Sequence, residues 1–206
     1  MTLSSQRLAE AVDAFASLPG IGRKSALRLA LHLLGQPEEV TEDFNHAVGR
    51  MRREVRTCRR CHYLSDEELC VICANPSRKR NLICVVESVR QVMAIEETGQ
   101  YYGTYYVLGG LISPMEGIGP EALPVAGLVE LVESAEERPE IILALSPTIE
   151  GETTSLFVSR QLAEFEPVIS TIARGVSFGS DLEHADDLTL GRSIRARQPY
   201  SVNPAE

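Results

Sequence analysis

Four cysteines fall as Cys58-x2-Cys61 and Cys70-x2-Cys73, a C-x2-C-x8-C-x2-C arrangement. Each C-x2-C pair turns two thiolates toward one point, and two such knuckles complete a tetrahedral zinc site. Four cysteine ligands leave no open coordination position for a substrate, so the expected metal is structural, one zinc per chain. Bridging disulfides are the competing reading, disfavoured in a reducing compartment. The loop between the knuckles is short, which makes a compact finger. His62, beside the second ligand, is expected at the surface. Cys84, inside an apolar β-branched run, is expected to be an inert buried thiol.

A second constellation is Leu18-Pro-Gly-Ile-Gly-Arg-Lys-Ser25. Gly20 and Gly22 allow φ > 0 and a close backbone approach. The helix expected to start near Lys24 offers free N–H groups and a positive dipole end. Lys24 and Arg28, four apart, share a helical face. The combination suits a phosphodiester, although a tight corner between two helices would use the same glycines. A Walker loop is excluded, because Arg23 separates Gly22 from Lys24 and no strand precedes the turn. The stretch resembles the helix-hairpin-helix, a sequence-independent DNA-binding element, which assigns Gly20, Gly22, Arg23, Lys24 and Arg28 as DNA-binding residues.

The third constellation is acidic. Glu87 ends one strand, and a later strand runs into Ser146-Pro-Thr-Ile-Glu-Gly-Glu152. Ligands of open parallel sheets gather at the carboxyl ends of strands. The pattern resembles the Toprim domain of topoisomerases, primases and some nucleases, where a strand-end Glu joins an Asp-x-Asp pair within D-P-D-R-E-G-E. Pro147, Glu150, Gly151 and Glu152 match that pattern, while Ser146 and Thr148 stand where the aspartates would be. Magnesium prefers octahedral oxygen ligands, and neutral Ser and Thr hold it far less well than carboxylates. No Ser/His/Asp or Cys/His nucleophile set accompanies them, so no catalytic residue is expected.

The surrounding pattern must position these groups. Residues 5–17 place Leu8, Val12 and Phe15 on one helical face, and residues 25–35 continue as a second helix. A polar, acid-rich turn leads into a third helix over 43–58. Beyond Arg80 the texture alternates. Strands are expected over 82–88, 104–110, 140–148 and 167–176, and helices over 89–99, 125–138 and 151–165. That alternation indicates a parallel sheet with crossovers. The expected fold class is α/β multidomain. It comprises a helical helix-hairpin-helix region (1–56), a small four-cysteine zinc finger (57–77), a Toprim-like parallel α/β domain (78–176) and a C-terminal segment (177–206). The tail after Arg195 is expected to be frayed or partner-dependent.

The 206-residue chain carries a net charge of −9, which by itself argues against nucleic acid. Its distribution argues otherwise. Residues 1–80 hold 13 Lys+Arg against 10 Asp+Glu, and the remainder 7 against 19. A mildly basic front joined to a strongly acidic back suggests two surfaces with different partners. No apolar run reaches the roughly 18 residues of a membrane span. The N-terminus lacks the basic start and apolar core of a signal peptide, so a cytoplasmic location is expected.

A helix-hairpin-helix, then a finger of four cysteines, then a Toprim-like domain without its aspartates: this order resembles the RecR family of bacterial recombination mediators. Cys84-Val-Val-Glu-Ser88, Tyr105-Tyr-Val-Leu-Gly-Gly110 and the segment Asp186-Asp-Leu-Thr-Leu-Gly191 extend the likeness over nearly the whole chain. The resemblance implies a ring-shaped homotetramer that can encircle DNA. It also implies partnership with RecO and RecF, to load RecA onto single strands coated by single-strand-binding protein. Basic hairpin residues, matched here by Lys24 and Arg28, would face the ring interior. Arg23 stands where most of the family have Pro and adds a positive charge. The acids Glu87, Glu150 and Glu152 would form the partner interface. Two other readings remain at this point: a Mg-dependent Toprim nuclease or primase-like enzyme using those three acids, and a zinc-stabilised scaffold that binds proteins only.

Overall fold

The computed structural model describes residues 4–176 and 179–199. The chain divides into two compact units, Met1–Arg56 and Thr57–Glu206.

The first unit is helical. Helix α1 (Gln6–Ala16) opens at Ser5, whose Oγ accepts from the Leu8 N–H at 3.3 Å. Helix α2 (Arg23–Leu34) follows the Pro-Gly corner. The two meet through buried Val12, Ala26 and Ala30, flanked by Leu8, Phe15, Ile21 and Leu27. The small alanines let the helices approach closely. Helix α3 spans Glu38–Glu54, five residues earlier at its start than the sequence pattern suggests. Pro37 caps it, and Glu38 and Glu39 complement the dipole in the first turn as Arg52 and Arg53 do in the last. The acid-rich stretch is therefore helix rather than turn.

The second unit begins with the finger: β1 (Arg56–Thr57) pairs with β2 (Leu64–Ser65), and a single-turn α4 (Val71–Ala74) carries the last cysteine. Strand β3 (Lys79–Val86) leads into α5 (Val89–Glu97), β4 (Gly103–Val107), α6 (Val125–Glu133), β5 (Glu140–Leu143), α7 (Ile149–Gln161), β6 (Val168–Thr171) and α8 (Asp187–Arg195). The four strands β4-β3-β5-β6 form one sheet, parallel throughout, as the βα alternation implies. The strands end sooner than their apolar runs. After Leu143 the Ala144 N–H still reaches the Val85 carbonyl (2.9 Å), and the chain then turns at Ser146. Of the tail after Arg195, residues 200–206 lie outside the described part.

Side-chain alternation with period two sends strand residues to opposite faces. Ile83, Val85, Tyr106, Ile141 and Leu143 pack with Leu128, Val132 and Val158 of α6 and α7. Cys84, Val86, Tyr105 and Val107 face the other way, against Val92 of α5 and the four finger cysteines. The finger thus completes one face of the sheet. It also reaches the end strand β4, where the Val107 N–H donates to the Cys61 carbonyl at 2.8 Å.

The segment leaving the finger is tied down by Arg78. Its guanidinium forms a bidentate pair with Glu96 of α5, with one bond of 2.8 Å, and also donates to the carbonyls of Tyr101 and Gly103. Tyr105 Oη donates to the same carboxylate at 2.7 Å. The Arg78 hydrogen bonds hold the Glu96 carboxyl below its usual range, with the Tyr105 hydroxyl adding to them. A depressed native pKa gives stability that is present above the ordinary glutamate value and is lost as pH falls through the native one. Arg78→Ala is expected to lower the melting temperature at pH 7, with the difference from wild type shrinking below about pH 4. Melts at pH 7 and about pH 3.5 check this, and an unchanged difference would remove the pair as its cause.

Candidate metal centre and nucleic-acid interface

Cys58, Cys61, Cys70 and Cys73 converge. All four are buried, and their Sγ atoms lie within 4.8 Å of one another. Local backbone makes the convergence. His62 N–H donates to the Cys58 carbonyl (2.9 Å) and Cys58 N–H to the Tyr63 carbonyl (2.7 Å), closing the first knuckle. In the second, Cys70 caps α4 and its Sγ accepts from the Cys73 N–H at 3.4 Å. Tetrahedral zinc with Zn–S of about 2.3 Å needs sulfurs roughly 3.8 Å apart, and Cys61 Sγ lies 3.5 Å from Cys70 Sγ. Hydrogen bonding from Cys61 holds the Cys73 thiol low, at about 6, while the Cys61 thiol is pushed up in return. Burial raises the Cys70 thiol as well, and the fit to zinc rests on geometry: four buried sulfurs within reach of one centre. All five cysteines are free, so the disulfide reading fails.

His62 departs from its expected surface position. It adopts φ 60° and is half-buried, its ring 5.0 Å from that of Tyr106. Cys84 is buried as expected, and burial pushes its thiol up to about 12.

At the carboxyl edge of the sheet, Glu87 and Ser146 meet. Ser146 Oγ donates to Glu87 Oε1 at 2.8 Å, and the Ser146 N–H to Oε2 at 3.2 Å. The residue standing for an aspartate therefore acts as a donor, engaging both carboxylate oxygens. Thr148, at the other aspartate position, caps α7, its Oγ1 accepting from the Gly151 N–H at 3.1 Å. A Cβ on Gly151 would lie 1.9 Å from the Ser146 carbonyl oxygen, so only glycine lets this turn close. Glu152 is paired with Arg174 beyond β6. Glu150 is half-buried in the first turn of α7.

The hairpin corner has a different character. Gly20 adopts φ 80°, the left-handed region that favours glycine. Gly22, by contrast, is extended (φ −76°) and caps α2, with no side chain covering the helix terminus. A Cβ there would meet nothing within 4 Å, so the fold itself does not demand glycine. Lys24 and Arg28 are exposed on α2 and have no ion-pair partner among the described residues. Arg23 lies 3.0 Å from Asp13, which offsets the charge it adds.

The chain matches four family models in succession: the RecR helix-hairpin-helix (residues 5–51), the RecR zinc finger domain of four cysteines (55–75), the Toprim domain (81–173) and the RecR C-terminal region (175–198). It is 53% identical to a protein of Flavobacterium johnsoniae named Recombination protein RecR, covering 97% of each chain. The chain belongs to the RecR family. Proteins of the same name from Phocaeicola vulgatus (54% identical, 96% of each chain) and Parabacteroides distasonis (53%, 96% of this chain and 95% of the relative) are similarly close.

This RecR-family chain assembles the four cysteines, as their spacing suggests. Sequence reasoning missed the donor role of Ser146, the Arg23–Asp13 and Glu152–Arg174 pairs, and the tilted ring contact of His62 with Tyr106. Each joins particular side chains rather than following a periodic pattern. A carboxylate facing a serine at adjoining strand ends was the one available signal.

Proposed function

We propose that this RecR-family protein is a DNA-binding recombination mediator. It acts as a ring-shaped homotetramer that, with RecO and RecF, helps load RecA onto gapped or single-stranded DNA. The observation that carries this reading is the near-full-length likeness to proteins named for recombination. The division into regions 1–56, 57–77, 78–176 and 177–206 follows the same reading. Gly20, Gly22, Arg23, Lys24 and Arg28 form the DNA contact, with Lys24 and Arg28 contributing most because Arg23 is paired. Val40, Phe44, Val48 and Met51 form an exposed apolar stripe along α3, which supports self-assembly.

One zinc per chain, held by Cys58, Cys61, Cys70 and Cys73, serves structure alone. Bound zinc would lock the finger against the sheet, and the cysteines supply its whole coordination. Glu87, Glu150 and Glu152 form the partner surface, with Glu150 foremost because the other two carboxylates are already engaged. The protein is not an enzyme: Glu87 gives both oxygens to Ser146, and the aspartates of a magnesium site are replaced. It works in the cytoplasm, where its DNA lies and its thiols stay reduced. Among the described residues no helix is long and apolar enough to cross a membrane.

The test is RecA assembly on gapped DNA coated with single-strand-binding protein, in the presence of cognate RecO and RecF. Adding the protein is expected to shorten the lag several-fold, and Glu150→Lys to restore most of the lag with an unchanged melt. No stimulation by the wild type would retire the reading.

A further inference from the structure

The first two helices each carry charge at the end where the helix dipole disfavours it. Asp13 lies in the last turn of α1, which holds no basic residue. Arg23 and Lys24 open the first turn of α2, which holds no acidic one. Anions are favoured at helix N-termini and cations at C-termini, so neither helix gains from these placements. Local helix stability does not account for them.

The corner between the helices makes them meet. The chain reverses there, with Gly20 at φ 80° and the Ile21 N–H donating to the Leu18 carbonyl at 3.1 Å. Asp13 Oδ1 then lies 3.0 Å from Arg23 Nη1. Each charge offsets the misplacement of the other. Of the three cations Arg23, Lys24 and Arg28, only Arg23 has an ion-pair partner among the described residues.

The pair is a loose one. Its side chains are 66% and 59% exposed, and ion pairs this open to water are screened and contribute little to stability. An anion arriving from solution can take the guanidinium from the carboxylate. A phosphodiester is such an anion, and a guanidinium binds it with the same planar fork that it offers a carboxylate.

We infer that Asp13 is an internal competitor for DNA phosphate: its carboxylate occupies Arg23 in the free protein, and DNA engages that guanidinium only by displacing it. The hairpin thus holds one cation per chain in reserve, and Asp13 sets the strength of the grip. A grip restrained in this way favours sliding and hopping along DNA, which sequence-independent phosphate contacts permit. The inference rests on the DNA contact proposed above and adds the residue that restrains it.

The experiment is fluorescence anisotropy with a labelled DNA duplex across a salt series, on full-length wild type, Asp13→Asn, Arg23→Gln and the double variant. Asp13→Asn removes the charge and keeps the shape. It is expected to tighten binding at least about tenfold at about 100 mM salt, and to steepen the slope of log K against log salt by about 0.9 for each guanidinium released onto a phosphate. Asp13→Ala, a second neutral replacement, should behave alike, and the melts should stay within a few degrees of wild type. In the Arg23→Gln background, Asp13→Asn should tighten binding by no more than about threefold, a failure of additivity that marks the two as one unit. An equal gain in that background would mean that the carboxylate only repels DNA, and the inference fails. If Asp13→Asn binds no more tightly than wild type while Lys24→Glu/Arg28→Glu abolishes binding, the competitor is wrong and the DNA contact stands. If neither wild type nor Asp13→Asn binds DNA, the contact and the competitor fall together.

Discussion

Cys58→Ser or Cys73→Ser is expected to yield little folded protein, and the wild type is expected to lose more than about 10 °C of melting temperature when zinc is stripped by a strong chelator. The size follows from where the ligands sit. The four cysteines lie in the same buried cluster as Val86, Val92, Tyr105 and Val107, which make up one face of the central sheet. Structural zinc contributes on the order of 10–16 kcal/mol of apparent binding in small fingers, against about 5–15 kcal/mol for the stability of a typical protein. Losing even a fraction exposes the apolar face the finger covers. The loss should also surpass that of Cys84→Ser, which places a hydroxyl in the same cluster at about 1–3 kcal/mol and leaves zinc content unchanged. Metal analysis and melts of the three variants check this. A chelated wild type that melts at its original temperature would show that the cluster closes without metal.

The second large effect concerns DNA. Lys24→Glu/Arg28→Glu is expected to abolish measurable DNA binding at about 100 mM salt while the melt stays within a few degrees of wild type. Both side chains are exposed on α2 and have no ion-pair partner among the described residues, so the fold does not depend on them. Two cations in a single chain bind phosphate weakly. Repeated by the proposed four-fold assembly they would neutralise up to about eight phosphates, for a slope of about −7 in log K against log salt on duplex DNA. Wild-type affinity should then fall by about 10³ or more between 50 and 200 mM salt. Fluorescence anisotropy across a salt series reads both the slope and its loss. Wild-type binding that the double variant leaves untouched would make the glycine corner purely architectural.

The parts that could be read from the chain beforehand were those written in spacing. The C-x2-C pairs, the helical face of Leu8, Val12 and Phe15, and the strand–helix alternation after Arg80 each follow a local rule. What escaped lies between residues distant in sequence or depends on one side chain's partner. Ser146 looked like an absence, a missing aspartate, yet it is a donor to a carboxylate 59 positions away. Arg23 looked like added charge until Asp13 was found beside it. The start of α3 was missed because Glu38 and Glu39 read as turn residues, whereas after Pro37 they are favourable first-turn acids. His62 gave no warning at all, since the ring it touches lies in a strand 44 positions later.

The bond from Val107 to the Cys61 carbonyl has a consequence for how the protein fails. A terminal strand offers unpaired N–H and C=O groups, a ready template for β-pairing with a neighbour. Here the first knuckle sits against that rim, its cysteines on one side of the sheet and His62 in tilted ring contact with Tyr106. A chain that has lost its metal loosens this guard as well as its core. Zinc starvation in the cell would then show itself as insoluble, β-joined chains more than as well-behaved protein with poor affinity.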